Sequence, residues 1–330
     1  MKNVFLLLFV VVGLLQAQIS IVTGGKGGTY YPFGEQISKI CGNEIGGLNV
    51  ISTKGSLDNI KRLLVQPDVK FAIVQYDVLL YMKEKSKYNP KMKRAINNLR
   101  VVMPFYDEQI HIVVKNGLNL KNINELNGLR VSIGSKGSGT YITAKNIMKY
   151  GNLKFQQFYL SLKDSLKAIK RGDIDAFFYV AGVPAKIFNV NNYSHNKLFK
   201  FYKKNIDLIE MKDYNLNNFY PLQTISQHDY KWLSHPVETG AVKSVLITYN
   251  YKPNQPSYQR VKNLYKCIYS NINLLQSDPI FHKKWKEVSP TNFSSIKWKI
   301  HPAVREYLNN LNSGSIIKNK DEIDEFFDNL

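Results

Sequence analysis

The stretch SIVTGGKGGTYYPFGEQISKICG, Ser20–Gly42, recurs in outline as RVSIGSKGSGTYITAKNIMKYG, Arg130–Gly151. Each copy passes from a short β-branched run through a glycine-rich turn around one lysine, and Thr-Tyr then opens an apolar-periodic segment. Phe33, Ile37 and Ile40 in the first, and Ile142, Ile147 and Met148 in the second, recur at helical spacing. Gly42 and Gly151 stand where such helices end. The sequel repeats as well. GSLDNIKRLLVQPDVKFAIVQYD, Gly55–Asp77, and LSLKDSLKAIKRGDIDAFFYVAG, Leu160–Gly182, each predict a capped helix and then a strand. Ser56 is the expected N-cap of the first helix. Ser161, with Asp164 three residues on, is that of the second.

Strand–turn–helix–strand–helix–strand, twice, predicts an α/β protein of two lobes, each a mainly parallel sheet flanked by helices. Ligands of open α/β sheets bind beyond the carboxyl ends of the strands, where both glycine turns lie. Facing lobes would bring two helix N-termini across one cleft, and their free N–H groups and dipoles suit an anion. The run LRVVMPFYDEQIHIVVKNG, Leu99–Gly117, is long for one strand and is expected to break at Pro104 as it crosses between lobes. GAVKSVLITYN, Gly240–Asn250, would return the chain. Helices after it, with Val261, Leu264, Tyr265 and Ile268 on one face, would complete lobe one. The expected division is residues 18–107 with 243–330 for lobe one and 108–242 for lobe two, hinged near Tyr106–Gln109 and Gly240–Ser244.

The chain begins MKNVFLLLFVVVGLLQAQ, with Lys2 ahead of an apolar run from Val4 to Leu15 and a small residue at Ala17. That pattern predicts a cleavable signal peptide over 1–17 and an extracytoplasmic protein. The net charge of +20 is spread among Asn, Tyr and Ile without a dense basic block. Together with export, this argues against a nucleic-acid partner. Cys41 and Cys267 are the two cysteines. Both fall on apolar helix faces, so buried thiols and a disulfide both stay open. The histidines have no zinc-ligand spacing, and no cofactor is expected.

Several enzyme motifs fail on spacing. Tyr30 occupies the place of the third glycine of a dinucleotide fingerprint, and Lys136 precedes its glycine where a P-loop needs it to follow. Ser138 lacks the spacing of a nucleophile elbow. Asp107 and Glu108 are adjacent, so they point to opposite faces of a strand.

The pieces TGGKGGTYYPFG, TKGSLDNIKRL, FAIVQYD, FYDEQIHIVV, NGLRVSIGSKGSGT and RGDIDAFFYVAGVP follow one another in an order that resembles a known family. That family is the TAXI-type solute receptors of tripartite ATP-independent periplasmic (TRAP) transporters. TISQHDY and HPAVREYLNNL depart from its pattern. The resemblance implies a periplasmic-binding-protein-like clamshell that captures a small anionic solute, a dicarboxylate or amino acid. The solute would be passed to a TRAP-type membrane permease, and the protein would not be an enzyme. It also implies that Gly27, Gly28, Thr29, Tyr30, Gly55, Ser56, Gln75, Glu108, Gly137, Ser138, Gly139 and Thr140 line the cleft. Plainer roles stay open: Tyr30 could pack on its helix, Ser56 and Thr140 could cap, and Gln75 could satisfy a sheet edge. A secreted sensor or interaction protein on the same clamshell is the alternative.

Overall fold

The computed structural model describes residues 18–190 and 196–311. The expected signal peptide, 1–17, and residues 312–330 of the segment assigned to lobe one lie outside the described residues. The first repeat unit runs β1 (Ile19–Val22), α1 (Tyr30–Cys41), β2 (Leu48–Ile51), α2 (Ser56–Val65) and β3 (Val69–Gln75), then α3 (Tyr76–Ser86) and α4 (Pro90–Asn97). Strand β4 (Leu99–Lys115) leads to the second unit. This comprises β5 (Arg130–Ser132), α5 (Gly139–Tyr150), β6 (Gln156–Phe158), α6 (Leu162–Arg171) and β7 (Ala176–Ala181). Next come α7 (Lys197–Asn205), β8 (Ile206–Leu208), α8 (Tyr214–Asn217) and β9 (Leu222–Ile225). Strand β10 (Val237–Tyr249) returns the chain to α9 (Pro256–Ser270), α10 (Ile272–Ser277) and a helical stretch at 302–311.

The strands order as β2-β1-β3-β10-β4-β7-β5-β6. Strand β1 pairs in parallel with β2 and β3, and β5 in parallel with β6 and β7, so the sequence repeat is a structural one. Between the parallel sets lie β10 and β4, antiparallel to each other and to their outer neighbours. The result is the expected two-lobed α/β clamshell.

The break expected at Pro104 does not occur: β4 is continuous from Leu99 to Lys115. Pro104 lies opposite Val245, next to a register shift in β10 between Lys243 and Val245. A bulge at that point accommodates a residue without an N–H to donate.

Register explains where the cleft falls. The last residue of β3, Gln75, pairs with Ser244, whose hydroxyl donates to the Tyr106 carbonyl at 2.8 Å. The last residue of β7, Ala181, pairs with Gln109. Since β3 and β7 run in opposite directions, their carboxyl ends meet head to head over residues 106–109.

In lobe one, Phe33 of α1 stacks on Trp285 at 4.4 Å and 13°. Val261, Leu264, Tyr265 and Ile268 of α9 join the same buried cluster. The apolar face of α9 thus packs on α1 of the first repeat unit. Lobe two packs Phe177, Phe188, Tyr202 and Trp232 together. Cys41 and Cys267 are bridged, with Cα atoms 5.8 Å apart, tying α1 to α9. Packing of the two helices settles what sequence left open.

The bridge closes a loop across 226 positions. Loops of this size predict a loss on the order of 2–5 kcal/mol when the link is removed. A Cys41→Ser, Cys267→Ser double variant should unfold at clearly lower urea than the oxidised protein. Coincident unfolding curves would show that the bridge contributes nothing.

Candidate ligand-binding site

A cavity of about 610 Å³ lies between the lobes at the register where the strand ends meet. Its lining includes the starts of five helices. These are Thr29 and Tyr30 at α1, Gly55 at α2, Gln75 before α3, Ser138 and Gly139 at α5, and Ser161 and Leu162 at α6. The opening N–H groups of a helix have no intrahelical acceptor, and its dipole places partial positive charge there. Lys54 and Lys163 add two exposed cations at the rim. The helix starts and these lysines give their parts of the wall a positive potential.

Ten of the twelve expected residues line it: Gly27, Gly28, Thr29, Tyr30, Gly55, Gln75, Glu108, Ser138, Gly139 and Thr140. Ser56 and Gly137 do not. Ser56 does not cap either: Gly55 takes that position, and the Ser56 hydroxyl is buried, accepting from the Gln75 N–H at 3.0 Å. Gly137 is turned aside, its carbonyl accepting from the Asp58 N–H at 3.0 Å. Six further lining residues were not among those expected: Thr53, Lys54, Ser135, Lys163 and Tyr179, which lie within the motif stretches, and Ile187, which lies beyond them. The Ser161–Asp164 cap was legible, and its hydroxyl accepts from the Asp164 N–H at 3.2 Å. That it opens on the cavity was not.

Many polar groups of the turns are engaged between or within the lobes. The Thr29 hydroxyl donates to the Gly182 carbonyl at 3.1 Å, and the Ile187 N–H donates to the Gly27 carbonyl at 3.3 Å. Thr143 and Tyr220 of lobe two donate to the Asp77 carboxylate of α3 at 2.8 and 3.0 Å. The Gly28 N–H is spent on Gly25 at 3.0 Å. Ser138 caps α5, accepting from the Tyr141 N–H at 3.0 Å. The Thr140 oxygen accepts from the Val180 N–H at 3.1 Å, which leaves its proton free to donate. Two glycines permit this close fit. A Cβ at Gly139 would fall on the Gln75 carboxamide, and one at Gly28 would stand 3.0 Å from the Tyr179 hydroxyl. Lys26 and Lys136 instead lie over the rings of Tyr31 and Tyr159.

Residues 21–309 match the model of the NMT1-like family. Among solved structures, the fold recurs in a periplasmic transporter at 11% identity and a TM-score of 0.50, over 83% of this chain and 88% of that one. It also recurs in the periplasmic binding protein BugD at 12% identity and a TM-score of 0.51, over 83% and 89%. At these identities the likeness is one of fold.

One acid lines the cavity. Glu108 is 3% exposed and accepts from the Tyr30 hydroxyl at 2.6 Å. Burial pushes its carboxyl from 4.5 up to about 8, and the nearby Asp77 adds to the rise against hydrogen bonds from Tyr30 and Gln75. Asp77 is itself raised by burial to about 6. Between pH 4.5 and 8 the native state binds more protons at Glu108 than the unfolded chain does, so stability falls as pH rises. His111, His282 and His301, lowered from 6.5 to about 4 by burial, act in the opposite sense and fade only about a unit above 6.5. The Asp77 contribution, centred near 6, has faded by then as well. The window from about pH 7.5 to 8.5 therefore isolates Glu108. The Tm of the unliganded protein should fall across it, and Glu108→Gln should flatten the fall; an unchanged slope in the variant would reject this assignment.

Proposed function

The chain belongs to the NMT1-like family, and we propose that it is an extracytoplasmic solute-binding receptor rather than an enzyme. It captures a small anionic solute, a dicarboxylate or an amino acid, between its lobes. One observation carries this reading: five helix N-termini converge on a single interlobe cavity. Such a cavity is of the size that encloses small ligands. Ser138, the serine nearest to a nucleophile in sequence, supports the reading because its hydroxyl is engaged as a helix cap.

The finer assignment, a TAXI-type receptor delivering its solute to a TRAP-type permease across the periplasm, rests on the motif resemblance from TGGKGGTYYPFG to RGDIDAFFYVAGVP. We place the lobe boundary at 107/108 and 242/243, where Asp107 pairs with Lys243 and Glu108 with Val242 in the β4–β10 ladder. Opening the lobes there would break the Thr29–Gly182 and Gly27–Ile187 hydrogen bonds and expose the cavity. Lys54 and Lys163 at the rim would draw an anion in.

Native mass spectrometry of freshly purified protein identifies the solute, and calorimetry of that solute tests the cradle. A hydrogen bond to a charged acceptor contributes about 1.5–3 kcal/mol, roughly one to two decades of affinity. Thr140→Ala should lose affinity on that scale, and Thr140→Ser should restore it. Lys26→Ala and Lys136→Ala should bind as wild type, since both lysines lie on tyrosines outside the cavity lining. Loss confined to the lysine variants would replace the helix-start cradle with direct ion pairing. Chemical conversion of the solute would overturn the receptor itself.

A further inference from the structure

Lobe two presents an apolar wall to the cavity. Leu160, Leu162, Tyr179 and Ile187 each pack on the buried cluster of that lobe, and each remains half-buried with its outer edge on the cavity. Lobe one brings backbone against part of this wall: a Cβ at Gly27 would stand 3.8 Å from Ile187 and one at Gly28 3.0 Å from the Tyr179 hydroxyl, while a Cβ at Gly25 would meet nothing within 4 Å. The rest of the space is not filled from that side. At roughly 30 Å³ per water, a cavity of about 610 Å³ has far more room than one anionic head needs.

Charge narrows the occupant further. Tyrosines aside, the ionisable side chains of the lining are Lys54, Lys163 and Glu108. Both lysines are exposed at the rim, whereas Glu108 is buried within. A solute with two carboxylates could direct one to the helix starts. A second could take another helix start or a rim lysine only by leaving the apolar wall bare, and against that wall it would be a charge desolvated without a partner, which is costly.

We propose that the solute carries one carboxylate, held at the helix starts, and an apolar body seated against Leu160, Leu162, Tyr179 and Ile187. The body is an aromatic or branched aliphatic group. Apolar amino acids and their deaminated counterparts cover that wall, and dicarboxylates leave it bare. The inference rests on the receptor reading above and narrows it.

Calorimetry and thermal shift at pH 7 compare two sets of probes. One set is L-phenylalanine, L-leucine and 3-phenylpropionate; the other is L-glutamate, L-aspartate and succinate. Burying an apolar group on the wall should favour the first set by about tenfold or more in affinity. Ile187→Asp and Leu160→Asp should each erase that preference; both residues are half-buried, so circular dichroism can confirm their fold. Tighter binding of the second set, unaffected by the wall variants, would overturn the apolar body and leave the receptor standing. Silence from both sets, with no co-purifying solute in native mass spectrometry, would overturn the receptor and this inference together.

Discussion

The ladder between β4 and β10 is the constraint on which the other features depend. Its hydrogen bonds run from Leu99–Tyr249 in lobe one to Gln109–Ala241 at the lobe junction. An antiparallel pair at the centre forces the parallel strands on its two sides to run in opposite directions. The βα turns of both repeats must then face each other at one register. Glu108 lies at that register because it lies at that point of β4, with Asp107 on the other face pairing with Lys243 at 2.7 Å. Position along one strand decides which acid is buried in the cavity and which is a surface ion pair.

Electrostatically the site balances two opposed elements. The helix starts supply positive potential through fixed backbone dipoles, which need no counterion and no side-chain ordering. Glu108 sets a protonatable group against them, and its partner Tyr30 is an uncharged donor. With its carboxyl near 8, Glu108 is largely protonated at neutral pH and can donate as well as accept. The Tyr30 hydroxyl, held well above its ordinary 10 by burial and by Glu108, remains a donor throughout.

The parts legible in the sequence were those written in local chemistry. The repeated glycine turns, the Ser161–Asp164 cap and the apolar face of α9 each follow from neighbours within a turn or two. The two lobes followed from the repeat. What escaped notice is set by distant partners. Whether Cys41 meets Cys267 depends on the docking of α1 against α9. Pro104 stays within a strand because the partner strand bulges. The Ser56 hydroxyl turns to Gln75, and the Thr29 hydroxyl crosses to Gly182, where local rules assign each a cap. Lys54 and Lys163 sit beside helix starts whose local pattern gives them no role, Ile187 lies beyond every motif stretch, and only the fold brings the three to the cavity.

The buried cluster around Phe33 is assembled from both ends of the described chain, with the β5–β9 segment between them. Phe33 and Ile37 of α1 find part of their cover in Leu264, Tyr265 and Trp285, well over two hundred positions downstream. A chain presented from its amino end has all of β5–β9 before α9 arrives to cover α1. The opening segment must therefore wait with an apolar face uncovered. The bridge from Cys41 to Cys267 joins an early and a late piece of that cluster, so it requires α9 to lie against α1. A chain truncated before α9 would keep every strand of both lobes and still leave the first without its cover.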